Sequence, residues 1–119
     1  MKVPLIVFPE AESDISQAYQ WYEKMRLGLG EEFILSLEAS FFSIQRHPEL
    51  YPVIYQGARR AFIRRFPYGI YYTQEAEKIV VFAVFHGKRS PKKWKQRVQQ
   101  HSLGKGAEQT QGGGTLPKA

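Results

Sequence analysis

Cysteine is missing from this chain of 119 residues, and with it every disulfide and every thiolate metal site. Long apolar runs are missing as well. The first one, residues 3–8, is broken by Pro4 and closed by Pro9, which is too short for the apolar core of a signal peptide. No later stretch approaches the roughly 20 residues that a membrane span needs. The expectation is a soluble cytoplasmic protein with no membrane partner. Acids are almost missing from residues 58–97, where Glu75 and Glu77 stand against eleven of the seventeen Lys and Arg. That block therefore carries a net +9, whereas the rest of the chain carries −3.

The basic block is interleaved with strand-like apolar runs, which fixes its charge on a folded surface and not on a loose tail. Such a surface attracts phosphate backbones without regard to sequence, or an acidic protein partner. An apolar fraction of 43%, with 14% aromatic residues, is that of a globular chain, and the length allows one domain. Residues 1–100 are read as that single domain. Residues 101–119 are glycine-rich, poor in apolar side chains and without periodicity, so they are read as a disordered tail.

Local patterns give the element order. Residues 3–8 read as a strand. Residues 10–26 read as a helix, with Ile15, Ala18, Tyr19 and Tyr22 on one face and Glu10, Glu12 and Asp14 placed where the helix dipole favours acids. Gly28-Leu29-Gly30 breaks it. It is not a phosphate-binding loop, because no strand precedes it. A second helix over 31–46 carries Phe33, Leu37, Phe41 and Ile44 on one stripe, with Ile34 beside it, and Pro48 stops it. The short break predicts an antiparallel helical hairpin. Residues 50–57, with Pro52, read as a loop or edge segment. Strands are expected over 59–66, 70–74 and 79–86, the last apolar throughout and so central and covered on both faces. Ser90-Pro91 opens a candidate C-terminal helix over 91–99. The expected class is α+β, β-α-α-β-β-β, with the hairpin packed on a small antiparallel sheet.

This order, and several short motifs within it, resemble the RelE/ParE superfamily of type II toxin-antitoxin toxins. The motifs are Pro9-Glu10-Ala11, Trp21-Tyr22-Glu23, Gly28-Leu29-Gly30, Phe33 to Leu37, Pro48, Arg64-Arg65-Phe66-Pro67-Tyr68 and Phe85-His86-Gly87-Lys88-Arg89. The resemblance runs from Val3 to about Arg97. It implies a growth-inhibiting toxin neutralised by a cognate antitoxin, with no cofactor, no metal and no small-molecule substrate. Two targets occur in the superfamily: DNA gyrase, which is inhibited, and the ribosome with its mRNA, which is cleaved without a metal.

Metal-free RNA cleavage needs an activated 2′-hydroxyl, a neutralised phosphorane and a protonated leaving oxygen. By resemblance, Arg60 and Arg89 fall on basic positions of the nuclease branch. Phe62 stands where a lysine is expected, Gly69 where an arginine is, and Lys95 where a terminal tyrosine is. Two of five positions match, which leans toward the gyrase-directed branch. A nuclease would use Arg60 and Arg89, with Arg64 or His86. A degenerate, non-toxic binding module is the third reading.

Each residue also has a plainer role. Arg60, Phe62, Arg64 and Phe66 alternate and should share one side of a strand, as a solvated face or an antitoxin contact. Arg59 and Arg65 should lie at the strand ends with their stems along the surface. Lys88, Arg89, Lys92, Lys93, Lys95 and Arg97 form a basic cluster suited to phosphate or an acidic partner. An imidazole suits proton transfer near neutrality, yet His86 continues an apolar strand, where a hydrogen-bonded structural histidine is the commoner case. His47 and His101 have no carboxylate or histidine partner at ligand spacing. Tyr71, Tyr72 and Trp94 could stack on bases, with core packing the plainer role for the tyrosines. Trp21 and Tyr22 are read as helix-to-sheet packing.

Overall fold

Pro9 opens the first helix at a position that needs no amide hydrogen, and Glu10 and Glu12 occupy the turn where the dipole is positive. In the computed structural model, which describes residues 3–111 and side chains through residue 101, this helix is α1, Pro9–Met25. Helix α2 is Leu29–Arg46. Between them Gly28 takes a left-handed φ of 91°. Glu23 joins the two helices, with its carboxylate oxygens accepting the amides of Gly28 and Gly30, each at 3.0 Å. The positive end of α2 is thus filled by the chain's own carboxylate, which is why this glycine pair is a hinge and not an anion site. A Cβ at Gly30 would lie 2.8 Å from that carboxylate and from the Tyr19 ring, so a side chain there forces one of them to move.

The described residues form five strands, one before this frame and four after it: β1 (Leu5–Val7), β2 (Val53–Tyr55), β3 (Ala58–Phe62), β4 (Tyr68–Glu75) and β5 (Lys78–His86). Their spatial order is β1-β5-β4-β3-β2. β1 lies parallel to β5, with Leu5 opposite Ile79, and the other pairs are antiparallel. The sheet is therefore mixed and one strand wider than the sequence suggested. Residues 53–55 pair as an edge strand just after Pro52, a position that tolerates proline because one side of an edge strand bonds nothing.

Strand β5 is covered on both faces, as its continuous apolar run predicted, and Ile79 through Phe85 are buried. Ile79, Val81 and Val84 join a core with Ala11, Tyr22, Phe33 and Leu37 of the hairpin. Phe82, Ala83 and Phe85 join a second core with Tyr71, Trp94 and Val98. The register explains why Phe82 and Ala83 share a face. Tyr71 pairs with Ala83 and Tyr72 with Val81, so Phe82 is an extra residue in a β-bulge. Each fully buried large side chain in these cores contributes about 1.5–3 kcal/mol of transfer free energy.

The second core exists because helix α3, Pro91–Gln111, lies on the sheet face opposite the hairpin. It runs past residue 100, where the sequence placed the start of a tail. His101 is held there by packing: its ring stacks on Phe82 at 5.1 Å and meets Phe8 edge-on at 5.4 Å. Its Nε2 lies 2.7 Å from Glu75 Oε2, and because a carboxylate only accepts, the ring donates. The remainder of the expected tail, residues 112–119, lies outside the described residues.

Candidate partner-binding surface

Three of the predicted site residues come from three separate places. Arg60 leaves β3 on the α3 face, half-buried, with its guanidinium carbon 4.8 Å from the Phe62 ring centre and 5.8 Å from those of Tyr71 and Trp94. Its stem lies across Gly69, where an added Cβ would come within 3.2 Å of Arg60 Cγ and Cδ. A side chain at residue 69 would require the Arg60 stem to shift by a few tenths of an ångström.

Arg64 does not continue the strand. β3 ends at Phe62, and Arg64 lies exposed in the turn to β4. The alternation that placed Arg60, Phe62, Arg64 and Phe66 on one side is broken by this turn, where Arg65 adopts φ 71°. Phe66 is buried with Tyr22 and Phe33 under the hairpin, on the opposite face from Arg60. Arg65 pairs with Glu32 at 3.1 Å. Glu32 also meets Arg26, and these two hydrogen bonds hold its carboxyl below the usual carboxylate range. Arg59 is structural: its Nη1 donates to the carbonyl oxygens of Tyr51 (2.6 Å) and Glu49 (3.3 Å).

His86 ends β5 opposite Tyr68, and the two rings meet edge-on at 5.3 Å. Tyr68 packs against Tyr22 and Phe33, so His86 belongs to the hairpin face, across the sheet from Arg60. Its Nδ1 accepts the Lys88 amide at 3.0 Å, which fixes the Nε2–H tautomer. Gly87 N donates to Pro67 O (2.7 Å) and Arg89 N to His86 O (2.9 Å). The Lys88-Arg89 turn is thereby clamped, and His86 acts as its anchor.

Beyond this turn the cations open outward. Arg89 rests over the Phe85 ring at 4.5 Å. Its charge opposes the effect of burial on Tyr68, whose hydroxyl is raised above the ordinary tyrosine value by desolvation. Tyr22 is raised too, by burial first and then by the neighbouring Tyr68. Lys88, Lys92 and Lys93 are exposed, and Lys95 lies 5.3 Å from the Tyr55 ring while keeping its ammonium at the surface. Among the described residues the ion pairs engage Arg26, Arg65, Arg97 and His101, and none engages Lys88, Arg89, Lys92, Lys93 or Lys95.

Arg97 leaves that cluster. Its guanidinium makes two bonds to Asp14, at 3.0 and 3.3 Å, and one to Phe82 O at 2.9 Å. Asp14 also accepts the Val84 amide at 3.0 Å. The reading of Asp14 as a dipole residue missed this, since its partners lie 70 and 83 residues away. Trp21 differs as well, being 60% exposed while Tyr22 is buried. It borders a shallow hollow with Gln17, Tyr68, Val84 and Arg89 at the open edge of β5. Among the described residues no group of three or more His, Asp or Glu is placed to hold a metal ion, and no helix there is long and apolar enough to cross a membrane.

A mixed sheet with a helical hairpin on one face is the α+β fold of the RelE/ParE class. Within it, the family described as "ParE toxin of type II toxin-antitoxin system, parDE" matches residues 5–91, and the chain belongs to that family. It is a toxin of the type II toxin-antitoxin kind. A solved structure, the chromosomal ParDE toxin-antitoxin system from P. aeruginosa, superposes with a TM-score of 0.65 at 13% identity, covering 71% of this chain and 96% of that one. No curated protein sequence matches the chain.

Proposed function

We propose that this toxin acts by binding DNA gyrase and blocking supercoiling, with no catalytic centre of its own, and that a cognate antitoxin neutralises it. The observation that carries the reading is the separation of His86, the one acid-base candidate, from Arg60, while Arg60 and Arg89 rest on rings of the same core. Arg60 is enclosed by Phe62, Tyr71 and Trp94 on one face of the sheet, and His86 is bonded to the Lys88 amide on the other. Acid-base transfer and phosphorane neutralisation require such groups around one phosphate. The ParDE relative of this fold supports an antitoxin partner. Acidic side chains of that partner would meet the exposed Arg64 and the half-buried Arg60, so the complex should weaken as salt rises.

The test is brief induction of the toxin in bacterial cells without antitoxin, with new 5′ ends mapped across the transcripts. Growth arrest without new ends is expected. Abundant ends inside translated frames would replace the proposal with a ribosome-dependent nuclease acting through Arg60 and Arg89. Unimpaired growth would leave a non-toxic binding module.

A further inference from the structure

Residues 87–100 contain six cations and no acid. Arg97 is neutralised by Asp14, which leaves Lys88, Arg89, Lys92, Lys93 and Lys95 without a carboxylate partner among the described residues. They are held in place. The turn carrying Lys88 and Arg89 is fixed through His86 and Pro67, and the start of α3 is fixed by Ser90, whose Oγ accepts Lys92 N (3.1 Å) and whose carbonyl accepts Lys93 N (2.9 Å).

The chemistry around these cations separates the classes of anionic partner. Protein interfaces are depleted in lysine and built around apolar anchors. Among the described residues, none of the exposed large apolar side chains lies on α3, where Trp94 and Val98 face the sheet; the exposed Trp21 and Phe62 flank only the Lys88-Arg89 turn. The outward side of α3 offers Lys92, Gln96 and Gln100, all exposed. That is the polar, positive surface typical of nucleic-acid contacts. With Trp94 buried, the helix presents no aromatic platform for unstacked bases, which favours a duplex over a single strand.

We infer that the turn at Lys88-Arg89 and the first turns of α3 bind the phosphate backbone of double-stranded DNA. The choice of DNA over duplex RNA rests on the gyrase reading, since DNA is what that enzyme holds. Contact with about four to five phosphates gives a slope of log affinity against log salt of about −4, at about −0.9 per phosphate.

The experiment is fluorescence anisotropy of a labelled DNA duplex titrated with full-length toxin, without gyrase, at two salt concentrations fourfold apart. Binding should weaken about 250-fold between them. The variant K88Q/K92Q/K93Q should bind at least tenfold more weakly at the lower salt, with its slope reduced to about −1, and should keep the wild-type melting curve. Equal binding by the variant, or no binding by the wild-type toxin, would overturn the inference. So would polyglutamate or an RNA duplex binding as tightly as DNA. Because gyrase is absent from this titration, failure here leaves the inhibition of gyrase to its own test.

Discussion

Asp14 and Arg97 meet across the open edge of β5 and join two helices that lie on opposite faces of the sheet. β1 covers β5 only through Val81, so Phe82 O and Val84 N would otherwise face outward unpaired. The carboxylate takes the amide and the guanidinium takes the carbonyl. The pair thus closes an edge that could template pairing with another chain.

With side chains only 11% and 20% exposed, this pair is largely shielded from water. Asp14→Ala and Arg97→Ala should each cost about 2–4 kcal/mol, because each leaves a part-buried charge alone. Urea unfolding of the two single variants and the double variant should show less than additive losses. Additive losses would mean that the two residues act separately.

Burial pushes the Tyr72 hydroxyl up to about 12, and it donates to Pro48 O at 2.7 Å. The folded state therefore holds this proton more tightly than the unfolded chain does. The resulting stability, about 3 kcal/mol, is complete below pH 10 and is lost as pH rises to about 12. Tyr72→Phe should be about 1 kcal/mol less stable at pH 8, from the lost hydrogen bond, and should lose less stability above pH 10. Parallel pH profiles for the two proteins would contradict this.

The hinge between the helices depends on two glycines for different reasons. Gly28→Ala meets a left-handed φ in open space and should cost about 1–2 kcal/mol. Gly30→Ala drives a methyl against Glu23 and Tyr19, and the carboxylate cannot retreat without releasing two amides. A cost of about 1–3 kcal/mol is expected. Glu23→Gln should reduce the Gly30→Ala penalty, as read by thermal melting of the double variant.

Trp21 and Tyr22 are neighbours in sequence with opposite fates. Trp21→Ala should change stability by less than about 0.5 kcal/mol, whereas Tyr22→Ala should cost about 3–5 kcal/mol through the cavity left among Phe33, Phe66 and Tyr68. Comparable losses would mean that Trp21 packs on the fold.

Local regularity made the hairpin and the central strand legible in the sequence. Ile79 through Phe85 are apolar without a break, and Phe33, Leu37 and Ile44 repeat with the helical period. The same logic misread residues 63–66, since the alternation of Arg60, Phe62, Arg64 and Phe66 runs through a turn that only the backbone at Arg65 reveals. β2 is too short, beside Pro52, to carry an alternation. Asp14, Glu75 and His101 hold their places through partners in other elements, and no local pattern marks such contacts. The basic cluster was legible because its charge is contiguous in sequence. The withdrawal of Arg97 from it was not, because Asp14 lies 83 residues away.

The central claim is tested most directly by DNA gyrase supercoiling relaxed plasmid in the presence of increasing purified toxin. Supercoiling should be lost at micromolar toxin and should recover when the antitoxin is added. Undiminished supercoiling at toxin levels that arrest growth would contradict it.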